Sequence, residues 1–295
     1  MTDVKGAAVA AQEKPAERSE PSDGRRVGAV GRPPERSEPR GTGRRPRGSS
    51  RVRNAVLWDA LSTVLDRIAP EGPSDVVDVG GGTGGFAVPL AELGHRVTVV
   101  DANPDALAAL ERRAAEAGVT VKAVQGDAVD LLDLLGPDAA DLVLCHSVLE
   151  YVDDPAAAVR ALTATLRPGG SASVLVAGQV AAALHRAVAG HFDDARHVLT
   201  DPDGRWGDHD RVPRRFTRAT LSDLVAASGL TVGELHGVRI FADLVPDGLI
   251  DAETTGRGHG GEAGAADALM ALESVAAVHP ILRELATQLH LLAHK

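Results

Sequence analysis

Aromatic side chains make up only 2% of the 295 residues, so a core has to be assembled from Ala, Val and Leu. A single cysteine excludes an intramolecular disulfide and a cysteine-based zinc site. The chain lacks the run of about 18 apolar residues that a membrane-spanning helix needs, and its first residues lack an apolar signal core. The expectation is a cytoplasmic protein with no membrane association. What is present is 44% hydrophobic content, enough for one sizeable core with an appendage.

Charge is unevenly spread. Residues 1–53 carry 13 Lys and Arg against 7 Asp and Glu, whereas the remainder carries 18 against 34. A body this acidic repels polyanions except at local patches such as Arg211, Arg214, Arg215 and Arg218. Residues 1–50 are rich in Gly, Pro, Ser, Arg and Glu, and Glu17-Arg18-Ser19-Glu20-Pro21 recurs as Glu35-Arg36-Ser37-Glu38-Pro39. Such a segment buries too little surface to offset its ordering entropy, and we read it as a disordered low-complexity tail or a basic arm.

Residues 51–69 have helical apolar spacing (Val52, Val56, Leu57, Leu61, Val64, Leu65, Ile68) and end at Pro70-Glu71-Gly72-Pro73. Then comes Asp78-Val79-Gly80-Gly81-Gly82-Thr83-Gly84-Gly85, after the apolar Val76-Val77 and before a helix-compatible Phe86–Leu93. A second apolar run, Arg96 to Val100, closes on Asp101. Strand, glycine turn, helix and a strand ending in an acid form a nucleotide-binding half-unit. Three ligands compete for it. A phosphate P-loop needs Gly-Lys-Ser/Thr, and the lysine is missing. A dinucleotide fingerprint fits loosely, because almost any register fits a run of glycines. S-adenosylmethionine (SAM) brings no phosphate, so its loop needs backbone room, and an acid such as Asp78 suits a ligand carrying an ammonium group.

Further along, Val121–Gly126 reads as a third strand leading to Asp127, and Asp141 to His146 as a fourth. Leu166-Arg167-Pro168-Gly169-Gly170 reads as the end of a helix turning into a fifth strand, Ser171 to Ala177. Asp78, Asp101, Asp127 and His146 all fall at carboxyl ends of strands, where open α/β sheets bind ligands. Asn103-Pro104-Asp105 starts a helix that runs to Ala117-Gly118. Beyond Ala177 we expect a helix from Gln179 to Ala189, a loop from Thr200 to Pro213 and a helix from Thr217 to Ser228. A strand from Leu230 to Phe241, a glycine-rich loop from Asp251 to Gly264, a helix from Ala265 to about Leu285 and a final strand from Gln288 to His294 complete the pattern.

D-V-G-G-G-T-G, the acid after the second strand, the G-D-A step at Gly126 and L-R-P-G-G together resemble the class I SAM-dependent methyltransferases. The segment Cys145-His146-Ser147-Val148-Leu149-Glu150-Tyr151-Val152-Asp153-Asp154-Pro155 is similar to that of the bacterial tRNA 5-carboxymethoxyuridine methyltransferases. So are Arg53-Asn54-Ala55-Val56-Leu57-Trp58, Ala187 to Asp193 and Gly237-Val238-Arg239-Ile240-Phe241. The resemblance implies a Rossmann-like α/β domain over residues 51–295, a mostly parallel sheet of about seven strands with helices on both faces and a last strand running antiparallel beside the sixth. It implies SAM as cofactor, and Arg53 facing the methionine carboxylate. One departure stands out. Where that family tends to carry an aromatic-Asn pair, this chain has Val176-Ala177-Gly178-Gln179.

The expected cofactor residues are Arg53, Asp78, Gly80, Gly82, Asp101, Ala102, Asp127, Ala128 and His146. Asp101 would accept from ribose hydroxyls, and Asp127 would meet the adenine amino group or cap the following helix. Tyr151, His191, Arg215 and Arg239 are the expected substrate residues. Arg239, set in an apolar strand, needs a partner, either a structural acid or a substrate carboxylate. His146 and Arg239 are the catalytic candidates, although methylating a carboxylate requires no base. The acceptor is then either the carboxylate of a modified wobble uridine in tRNA or a small molecule bearing a carboxylic acid or hydroxyl. A SAM-binding regulator without turnover and a dinucleotide oxidoreductase are the remaining alternatives.

Overall fold

A computed structural model describes residues 47–68, 72–246 and 264–295, and the side chains from residue 54 onward within the first helix. The tail expected at residues 1–50 lies outside the described residues up to 46, as does most of the glycine-rich loop expected at Asp251–Gly264. The first helix, α1 (Arg47–Ile68), begins four residues earlier than its apolar spacing suggests.

Four βα units and a fifth strand follow in order. They are β1 (Asp75–Val79), α2 (Ala87–Glu92), β2 (Arg96–Asp101), α3 (Pro104–Ala117), β3 (Lys122–Gln125), α4 (Leu131–Leu135), β4 (Ala140–His146), α5 (Pro155–Thr165) and β5 (Leu166–Ala177). Then come α6 (Gln179–Val188), α7 (Phe192–Thr200), α8 (Arg218–Ala227), β6 (Thr231–Val238), α9 (Ala265–Val278) and β7 (Gln288–His294). The strands form a seven-stranded sheet in the order β3-β2-β1-β4-β5-β7-β6. The pairs among β1–β5 are parallel, and β7 runs antiparallel between β5 and β6. The strand order reverses between β1 and β4, which leaves a crevice at their carboxyl ends.

Alternation along the strands divides the core. Val77, Val79, Val143, Cys145, Val174 and Val176 pack with α5 and α8 residues such as Leu162 and Leu221. Val76, Val97, Val99, Leu142 and Leu144 pack instead with Leu61 of α1, Leu90 of α2 and Leu110 of α3. Helices on both faces explain why β1 and β4 read as continuous apolar runs. The α3 boundaries follow from local chemistry. Asn103 accepts the N–H of Asp105 at 2.9 Å, Pro104 occupies the first turn, and Gly118 closes the helix at φ 71°.

Two expectations are corrected and one element is new. The residues Leu166–Gly170 do not end α5, because the strand already begins at Leu166 and a register shift absorbs the Pro-Gly-Gly segment. Phe192–Thr200 is a helix, α7, that the sequence did not announce. The sixth strand stops at Val238, and Arg239 turns out of it at φ 63°. The cause is Glu273 of α9, whose buried carboxylate accepts the N–H groups of Ile240, Phe241 and Ala242 at 3.0, 2.7 and 2.6 Å and so ends the ladder.

Candidate active site

A cleft of about 730 Å³ opens at the carboxyl ends of β1, β2, β3 and β4. Gly80, Asp101, Ala102, Asp127, Ala128 and Tyr151, named above from sequence, all line it. Val79, Val100, Gly126, Ser147, Val148 and Val152 line it as well, without having been anticipated.

The glycine turn owes its shape to positive φ at Gly80 (66°), Gly82 (55°) and Gly84 (78°), which only glycine adopts cheaply. A side chain on Gly80 would run into Val148, whereas one on Gly82 would point into nearly open space, 4.0 Å from Asp101. Asp101 ties the turn down. Its Oδ2 accepts the Gly82 N–H at 2.9 Å and its Oδ1 the Asn103 N–H at 2.8 Å. Asp127 caps the short 3-10 turn Ala128–Asp130 by accepting the Ala128 N–H at 2.8 Å, and it lines the cleft too.

Asp78 does not line the cleft. It lies beneath Gly81, 2% exposed, with Oδ2 lacking a hydrogen-bond partner among the described residues. Burial, reinforced by the nearby Asp101 charge, pushes its carboxyl up to about 7. His146 ends β4 beside the cleft residue Ser147. Its Nε2 lies 2.8 Å from Ser173 Oγ and its ring stands edge-on to Phe86, 4.9 Å between centroids. Burial draws its pKa down to about 4, so the ring is neutral at physiological pH.

The expected substrate residues are not gathered in the cleft, apart from Tyr151. His191 is exposed at the start of α7. Arg215 is closed off in an ion pair with Asp210, their side chains 9% and 1% exposed. That pair, with Arg186 lying 3.8 Å over the Trp206 ring, folds the 201–216 segment into a packed loop, so Arg215 holds the loop. Arg239 pairs with Asp243 at 2.7 Å but keeps 31% of its side chain exposed. Its carbonyl accepts the N–H of Thr287, and the neighbouring Gln288 reaches Ser147 Oγ at 3.2 Å, which places Arg239 at the cleft end of the sheet. The Arg53 side chain lies outside the described residues.

A cationic ligand that lacks phosphate fits this site. Asp101 and Asp127 put carboxylates on its wall, Gly82 leaves room beside Asp101, and no lysine or arginine among the residues lining the cleft awaits a phosphate. The comparisons agree. Residues 77–174 match a family described as a methyltransferase domain. The chain belongs to the class I SAM-dependent methyltransferases, and SAM is its cofactor. Within that class it resembles the tRNA 5-carboxymethoxyuridine methyltransferase of Escherichia coli strain K12, at 34% identity over 199 residues, 65% of this chain and 72% of the relative. The ubiquinone biosynthesis O-methyltransferase of Cupriavidus pinatubonensis is 31% identical over 179 residues, 59% of this chain and 70% of the relative. Among solved structures, a SAM-dependent methyltransferase from Mesorhizobium loti shares the fold with TM-score 0.50 and 20% identity, covering 83% of this chain and all of that one. A sarcosine dimethylglycine methyltransferase homologue from Galdieria sulphuraria does so with TM-score 0.53 and 14% identity, over 82% of this chain and 85% of that one.

Proposed function

We propose that this enzyme transfers the methyl group of SAM to the carboxylate of a modified wobble uridine in tRNA, giving a methyl ester. The observation that carries this reading is the extent of similarity to the E. coli tRNA enzyme. It spans 199 residues, well beyond the cofactor half matched at 77–174. The site chemistry is consistent with it. A carboxylate is already deprotonated at neutral pH, so the acceptor needs no general base. His146 is neutral with Nε2 engaged by Ser173.

Bound SAM supplies an electrophilic methyl on a sulfonium. The tasks left to the protein are binding and alignment, which by themselves lower a barrier substantially. In this reading Asp101 and Asp127 hold the nucleoside part, Asp78 draws the cationic part from beneath the glycine turn, and Tyr151 covers the cleft. Arg239, steadied by Asp243, turns the open side of its guanidinium to the acceptor carboxylate, a fork that neutral analogues do not satisfy. The reaction then takes place in the cytoplasm, where tRNA is found.

A second reading, a small hydroxylated or carboxylated acceptor, draws on the ubiquinone-pathway relative and on the acidic body, which disfavours polyanions. Purified tRNA bearing 5-carboxymethoxyuridine, incubated with enzyme and SAM, separates the two. Nucleoside mass spectrometry is expected to show that nucleoside heavier by one methylene. An unchanged 5-carboxymethoxyuridine, beside a small hydroxylated or carboxylated acceptor methylated in a parallel incubation, would establish the second reading instead.

A further inference from the structure

The sheet face that meets α1 carries polar side chains where a Val- and Leu-built core would be cheaper. Ser173 of β5 and His290 of β7 are fully buried, and His236 of β6 is 8% exposed. Ser173 Oγ lies 2.8 Å from His146 Nε2 and also 2.8 Å from His290 Nε2. His236 stacks on His290 at 5.5 Å, which stands edge-on to His146 at 6.1 Å. Nδ1 of each of the three rings has no hydrogen-bond partner among the described residues. Buried polar groups cost stability unless they are bonded, so this cluster is retained at a cost.

The hydroxyl between the rings constrains them. Burial lowers the pKa of all three histidines, so each neutral ring carries one N–H. A hydroxyl has a single proton to donate. When Ser173 donates to His290, His146 must donate from Nε2 and its Nδ1 is left as a bare acceptor. When Ser173 donates to His146, His290 donates to Ser173, and His146 Nδ1 carries the proton. One hydroxyl rotation thus couples the tautomers of a fully buried histidine and of the histidine that ends β4.

We propose that Ser173 and His290 are positioning residues for methyl transfer: by fixing the ring orientation and tautomer of His146 they hold the end of β4, from which Ser147 and Val148 enter the cleft lining. This rests on the reading of the cleft beside His146 as the methyl-transfer site.

The test compares Ser173→Ala, Ser173→Thr and His290→Gln with the wild type. Nitrogen-15 spectra of histidine-labelled protein, with the His146 signals assigned from their loss in His146→Gln, read the tautomer without any turnover. The wild type is expected to show one His146 tautomer, and Ser173→Ala a mixture. In the methyl-transfer assay Ser173→Ala is expected to lose roughly tenfold to a hundredfold in kcat, while its SAM dissociation constant stays within about twofold, since Ser173 lies outside the cleft lining. Ser173→Thr, which restores the hydroxyl, is expected to recover both the single tautomer and the rate. If Ser173→Ala does not fold, His290→Gln carries the same comparison. An unchanged His146 spectrum in the variants, or equal loss in the Ala and Thr variants, overturns the proposal. A wild type that methylates none of the acceptors but shows the tautomer response overturns the proposed function and leaves the coupling standing.

Discussion

Asp101, at the end of β2, holds the glycine turn after β1 by accepting the Gly82 N–H at 2.9 Å, and the same carboxylate lines the cleft. One side chain thereby shapes the loop and faces the ligand. Asp101→Ala is expected to lose SAM affinity by about 1–3 kcal/mol, the scale of a lost charge-assisted bond. Titration calorimetry checks this, and unchanged affinity would remove Asp101 from the cofactor site.

Asp78 predicts a proton event. Its folded pKa, about 7, lies above the ordinary 3.8. Its contribution to the stability of the SAM-free protein is therefore fully present below 3.8 and is lost as pH rises through about 7. A cation placed near it favours the ionised form, so SAM binding near neutral pH should release protons. Calorimetry in buffers of different ionisation enthalpy measures the release. A value of zero would mean that the cation sits elsewhere.

The Arg215–Asp210 pair predicts a structural penalty. Burial opposes ionisation of Asp210, but the Arg215 guanidinium and the N–H groups of Trp206 and Val212 outweigh it, so its pKa lies below the ordinary value. Removing one partner leaves the other charge buried, and Asp210→Ala is expected to cost about 3–5 kcal/mol. Denaturant unfolding reads that loss. The contribution of Asp210 is present above 3.8 and fades as pH falls through its lower folded value.

Arg239 predicts a split between binding and turnover. It lies outside the cleft lining and only partly exposed at the same end of the sheet. Arg239→Ala should spare SAM affinity and lower kcat/KM for a carboxylate acceptor by roughly tenfold to a hundredfold, the scale of a lost charge-assisted bond. Equal losses of SAM affinity and turnover would assign Arg239 to the Glu273-anchored loop alone.

What was legible in the sequence was local or periodic. The Val76–Val79 and Arg96–Asp101 strands, the Asn103-Pro104 cap and the final strand at Gln288–His294 each carry their own signal, whether apolar runs, cap chemistry or spacing. The acids at strand ends could be named because topology alone places them at one edge. The rest depends on partners far apart in the chain. Ser173 meets His290 only because β7 inserts antiparallel beside β5, across 117 residues of sequence. Arg215 looked available to substrate because nothing in Arg214-Arg215 shows that Asp210 folds back onto it. Arg239 read as a strand residue because the Glu273 clamp on the following N–H groups is invisible in a run of Val, Ile and Phe. Helix α7 escaped notice because Phe192, Leu199 and its charged residues are largely exposed, which blurs the apolar period.

The central claim is methyl transfer to a tRNA carboxylate, and SAM labelled in its methyl group tests it most directly. The enzyme is incubated with bulk tRNA and, separately, with a small-metabolite extract of the native organism. The account predicts label in tRNA that mild alkali releases as methanol, as a methyl ester requires. Label confined to small molecules, or alkali-stable label in tRNA, would contradict it.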